Sequence, residues 1–102
     1  MRNFDVVMTT RARNDLRDIA EYLTGFSFVT AENYYRLIMQ AVNDLEAFPK
    51  AYPHVRDETL RKKGFRWTNV RNYTIYFIIH EKQKQVIVER ILYSRREYDA
   101  LL

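Results

Sequence analysis

The chain has 102 residues, with two glycines, two prolines and no cysteine. That is enough for one domain with a modest core, leaves little material for a flexible linker, and excludes disulfides and thiolate chemistry. The net charge is +4 but unevenly placed: residues 1–48 hold five Lys/Arg against seven Asp/Glu, and residues 49–102 hold twelve against six.

A basic second half points to a polyanionic or acidic partner, or to a solvated face. No apolar run is long enough to span a bilayer, and the N-terminus lacks the apolar stretch of a signal peptide. A cytoplasmic protein with no membrane partner is expected.

Residues 3–9 alternate, with Phe4, Val6 and Met8 on one side and Asp5, Val7 and Thr9 on the other, which predicts a half-buried strand. Thr9 or Thr10 can cap a helix whose apolar stripe is Ala12, Leu16, Ile19, Leu23 and Phe26, with Gly25 as its stop. Ser27 or Thr30 can cap a second helix with an apolar face of Ala31, Tyr34, Tyr35, Ile38, Ala41, Val42, Leu45 and Phe48. Pro49 ends it, because proline disfavours helical geometry in the residue before it. The short gap between the two implies an antiparallel helical hairpin.

Residues 50–63 read as loop: they are charged, contain Pro53 and show no period. Three strands are predicted after Gly64, at 65–71, 73–80 and 85–93, the last two joined by the polar link "EKQKQ". Ser94 and Glu97 have the spacing of a capping box, which predicts a short helix to Leu102 with Tyr98, Leu101 and Leu102 folded back on the core. The sum is a single α+β domain over 1–102. An N-terminal strand and a helical hairpin pack on a mostly antiparallel four-stranded sheet, with a short C-terminal helix at the end. The other sheet face, or a cleft beside it, stays available to a partner.

The segments "ARNDLRDIAEYL", "AENYYRLIMQAVNDLEAFP", "GFRWTNVRNYTIYFII" and "VERILYSRRE" span almost the whole chain. In that order they resemble the RelE/ParE superfamily of toxins from bacterial type II toxin–antitoxin systems. The resemblance implies a cognate antitoxin as partner, operator DNA contacted only through that antitoxin, and no cofactor. It leaves three activities open: ribosome-dependent mRNA cleavage without metal, as in RelE-like members; poisoning of DNA gyrase without catalysis, as in ParE-like members; or a degraded toxin that acts only in antitoxin-bound operon repression. The first is the leading expectation at this point.

Metal-free RNA cleavage needs a base for the 2′-hydroxyl, cations for the phosphate and an acid for the leaving oxygen. The resemblance places Arg96 at the arginine near the end of the final strand and Arg66 near a basic position after the loop. It offers Tyr98 as an approximate stand-in for a tyrosine a few residues beyond the arginine pair. It also places Thr74 where RelE-like enzymes hold a phosphate-binding arginine, and a threonine supplies no charge.

The residues themselves add further candidates. Arg61, Lys62 and Lys63 are a compact cluster for RNA phosphates or antitoxin carboxylates. Arg95 stands beside Arg96 at a helix start that favours anions. His80 is a possible acid or base by residue type, although its place at the end of an apolar strand favours a structural role. Glu89 and Arg90 suit an ion pair with a neighbouring strand, unless Arg90 lines the open face and joins the RNA contacts. Trp67 is a candidate stacking residue. Two isolated histidines make no metal site.

Overall fold

A computed structural model describes residues 3–95. Strand β1 (Asp5–Met8) leads into helices α1 (Thr10–Thr24) and α2 (Phe28–Asp44); a 3₁₀ turn (Pro49–Ala51) and a short helix α3 (Glu58–Lys62) follow; β2 (Arg66–Val70), β3 (Tyr73–His80) and β4 (Gln85–Tyr93) complete the domain. The sheet order is β1-β4-β3-β2. β1 lies parallel to β4, and the other two pairings are antiparallel. The expected α+β architecture is present; the short C-terminal helix expected after Ser94, with Arg96 and Tyr98, lies outside the described residues.

Local chemistry starts both long helices. Thr9 accepts the backbone N–H of Ala12, and Ser27 accepts that of Thr30. The hairpin then lays Ala12, Leu16, Ile38, Val42 and Leu45 on the sheet residues Tyr73, Ile75, Phe77, Val86, Val88 and Ile91 to form the main core.

β4 is longer than its neighbour β1, and the start of α1 covers the strand edge that β1 leaves open. The Thr9 N–H donates to Val88 O at 3.0 Å and its hydroxyl to Glu89 O at 3.0 Å. The Ile91 N–H donates to the Asp15 carboxylate at 3.0 Å. An uncovered edge would leave these groups as a template for foreign strands. Opposite this edge the register steps from Phe77↔Val88 to Tyr76↔Arg90, so Glu89 is an extra residue. The bulge resets the alternation, and Ile91 rather than Arg90 follows Val86 and Val88 into the main core.

Several expectations need correction. Residues 50–63 are not all loop: Asp57 accepts the Leu60 N–H and caps α3, and Leu60 is buried at 4% exposure. It packs with Val55, Phe65, Tyr76 and Leu92 in a second small core on the sheet face away from the hairpin. α2 ends at Asp44, before Pro49, and Phe48 lies beyond it at 72% exposure. Phe26 and Tyr35 are also exposed rather than part of the core. Arg90 pairs not with a neighbouring strand but with Asp15 on α1.

Candidate functional site

The open sheet face carries a cleft of about 450 Å³. Its floor follows from strand alternation. Trp67 and Asn69 on β2 stand directly opposite Tyr76 and Thr74 on β3, so all four share one face. Ser94, just past β4, closes one end, and the segment Pro53–His54–Val55–Arg56 forms the wall. That wall is fixed to the start of β2 and the residue before it by two backbone bonds, Trp67 N–H to Pro53 O and Val55 N–H to Phe65 O.

The floor is polar but neutral. Thr74, only 5% exposed, donates its hydroxyl proton to Asn69 Oδ1 at 2.7 Å, and its oxygen lies 2.9 Å from Ser94 Oγ. A hydroxyl has one proton to give, so Ser94 donates to Thr74 and Thr74 to Asn69. The position that the family resemblance assigns to a charged phosphate ligand is thus taken up in a closed relay of two hydroxyls and an amide.

The other sequence-derived candidates scatter. Arg66 turns its guanidinium to the chain that follows α2, donating to Tyr52 O at 2.7 Å and Lys50 O at 3.2 Å. Arg90 is 9% exposed and forms a two-point ion pair with Asp15, Nε to Oδ2 at 2.7 Å and an Nη to Oδ1 at 2.9 Å. The hydrogen bond that Arg90 donates to Asp15 raises the arginine pKa further and outweighs the desolvation that opposes it. His80 is exposed at the far end of β3, opposite Gln85. Arg95 is exposed and follows the cleft residue Ser94. Arg61, Lys62 and Lys63 are exposed on and just after α3. Arg96 and Tyr98 lie outside the described residues.

Sequence reasoning missed His54, Arg56, Asn69 and Ser94 as cleft residues. The period-two pattern of β2 marks Asn69 as sharing a face with Trp67, but nothing local in the sequence announces the fold-back of residues 53–56. Among the described residues no group of three or more His, Asp or Glu side chains is placed to hold a metal ion, and no helix is long and apolar enough to cross a membrane.

A second concavity, of about 830 Å³, runs between the hairpin and the end of β4 and is lined by Asp18, Tyr22, Phe26, Tyr34, Tyr73 and Tyr93, among others. Its rim is unusually apolar for free surface: Tyr22 is 64% exposed, Phe26 69%, and the neighbouring Phe28 71%. Tyr73 at the base stacks edge-on with Tyr34 and Tyr93. Burial, followed by the neighbouring Tyr34, Tyr22 and Tyr93 phenols, pushes the Tyr73 pKa up.

Residues 6–98 match the sequence profile of the family described as ParE toxin of type II toxin–antitoxin system, parDE. No curated protein matches the sequence. Similar solved structures include a chromosomal ParDE toxin–antitoxin system from P. aeruginosa, at 17% identity and TM-score 0.74 over 89% of this chain and 96% of that one. The RelBE2 toxin–antitoxin complex from Mycobacterium tuberculosis follows at 18% identity and TM-score 0.65, over 89% and 98%. An archaeal RelE–RelB complex from Pyrococcus horikoshii OT3 has 10% identity and TM-score 0.61, over 93% and 99%. At these identities the likeness is one of fold.

Proposed function

The chain belongs to the ParE toxin family of type II toxin–antitoxin systems, and from that premise we propose that it arrests growth by poisoning DNA gyrase through binding, without cutting RNA. The observation that carries this reading is the state of those side chains an RNA-cleaving site would need that lie among the described residues, which exclude Arg96 and Tyr98. Arg66 is engaged by two backbone carbonyls, and Arg90 is neutralised by Asp15. The Thr74 position holds a neutral relay. A phosphate undergoing cleavage develops charge that a threonine, an asparagine and a serine stabilise poorly beside charge-assisted donors. A poison that acts by docking has no such requirement.

The same reading assigns the aromatic groove to the cognate antitoxin. A toxin must be held inactive in the cell, and the three similar structures are described as toxin–antitoxin systems or complexes. Tyr22, Phe26 and Phe28 present apolar area at the hairpin tip, beside the acidic side chains of Asp18 and Glu21. An antitoxin segment with apolar anchors and a basic residue fits that surface. Operator DNA is then contacted through the antitoxin.

The test is a cell-free translation reaction with purified toxin at micromolar concentration. Ribosome-bound message is expected to stay intact. Cleavage within codons that disappears in Arg96→Ala would overturn the reading and restore the ribonuclease.

A further inference from the structure

Among the described residues, the open sheet face has a charged feature that neither the fold nor the cleft relay uses. α3 lies across this face, held by Leu60 in the small core with Tyr76 and Leu92. The side chains it leaves in solvent include the cations Arg61 and Lys62 beside Glu58 and Thr59, with Lys63 at its C-cap and Arg56 just before it on the cleft wall.

Arg61 is positioned rather than loose, and the backbone that carries Lys63 is fixed. An Nη of Arg61 donates to Arg56 O at 3.0 Å, tying the two arginine positions together. The Lys63 N–H donates to Leu60 O, and Gly64 follows at φ 92, a left-handed turn that ends the helix and returns the chain to β2.

Local carboxylates do not balance the charge. Asp57 is committed to the Leu60 N–H as a cap. Glu58 meets Lys62 at 3.2 Å, but that pair is about 70% exposed on both sides (74% and 69%), where water screens it.

We propose that Arg56, Arg61, Lys62 and Lys63 form a contact surface for the phosphate backbone of duplex DNA, the DNA held by the gyrase that this toxin poisons. The proposal rests on the gyrase reading and deepens it: the toxin grips the enzyme–DNA complex at both components. Four cations on and beside a short surface helix suit a backbone lying along the molecule. A single strand threaded through the cleft would instead need charge on the cleft floor, and that floor is the neutral Ser94–Thr74–Asn69 relay.

The experiment measures binding of a fluorescent DNA duplex to purified toxin by anisotropy across potassium chloride concentrations. It is run on the wild type and on the triple variant Arg61→Gln, Lys62→Gln, Lys63→Gln. In parallel, toxin capture on immobilised gyrase is measured without DNA, and plasmid linearisation by gyrase plus toxin is scored. The logarithm of affinity is expected to fall with that of salt at a slope of about −3 to −4, and the triple variant to flatten it by roughly 3. Its linearised plasmid falls in step while capture by DNA-free gyrase is retained. That retained capture excludes a folding defect in the triple variant, and Lys62→Arg with Lys63→Arg, which conserves the charge, keeps both signals.

Equal duplex affinity in the triple variant overturns the proposal, as does stronger binding to single-stranded RNA of the same length. Undiminished linearisation by the triple variant overturns it too, while leaving the gyrase reading intact. Duplex binding through these cations by a wild type that never linearises plasmid supports the surface and sinks the gyrase reading instead.

Discussion

Asp15 shows how much one side chain can hold together. Its carboxylate accepts from the Arg90 guanidinium at two points and from the Ile91 N–H, joining α1 to the uncovered end of β4. Asp15→Asn removes the negative charge and leaves a guanidinium that is 11% exposed without its counter-ion. The expected loss is about 3 kcal/mol, read as a lower urea midpoint with unchanged slope. Arg90→Met keeps the Ile91 bond but leaves the Asp15 carboxylate, 13% exposed, without its cation, and is expected to cost a similar amount. Tyr73 gives a pH test with a definite sign. Its folded pKa is raised by burial and by neighbouring phenols, so its contribution is complete below the unfolded value near 10 and is lost as pH rises through the folded one. The melting temperature should therefore fall as pH rises above about 10, and Tyr73→Phe should lessen that fall. Neither partnership was legible in the sequence. Asp15 and Arg90 stand 75 positions apart, and a charged residue inside a strand offers no sign of which helix will meet it.

The long elements were legible because their signals are local. The Thr9 and Ser27 caps lie next to the stripes they start, and the apolar, β-branched runs of 73–80 and 85–93 mark two strands. α3 was not, because five residues show no period and Leu60 becomes an anchor only against Tyr76 and Leu92 from other strands. Phe26 fits the α1 stripe by spacing, yet it falls just past the helix end and stays in solvent. A helical period says where a side chain points, not whether anything stands opposite it. Two element-scale predictions follow from the bonds. Thr9→Ala removes both the α1 cap and the hydroxyl bond to Glu89 O, and is expected to cost about 1 to 2 kcal/mol in thermal or urea unfolding. Leu60→Ala frees α3 from the sheet at a cost of about 2 to 4 kcal/mol, with early loss of amide protection over residues 57–64 in hydrogen exchange.

At the scale of the molecule, the two faces divide the work. The hairpin side exposes aromatic area around the groove, and the open sheet face carries the cleft and the cations of α3. Phe26→Glu, at the groove rim, should weaken antitoxin capture at least tenfold in a pull-down titration, while growth arrest by the free toxin persists. The architecture and the family were readable from segment order. The choice of target was not, because it turns on whether Arg66, Arg90 and the Thr74 site converge on one phosphate, and convergence belongs to the folded chain. The most direct test of the account is to mix purified toxin with gyrase, ATP and supercoiled plasmid, stop with detergent and protease, and score linear DNA. The account predicts linear plasmid that appears only with gyrase and disappears when antitoxin is added. Plasmid that stays circular at saturating toxin, while the same preparation arrests growth, would contradict it.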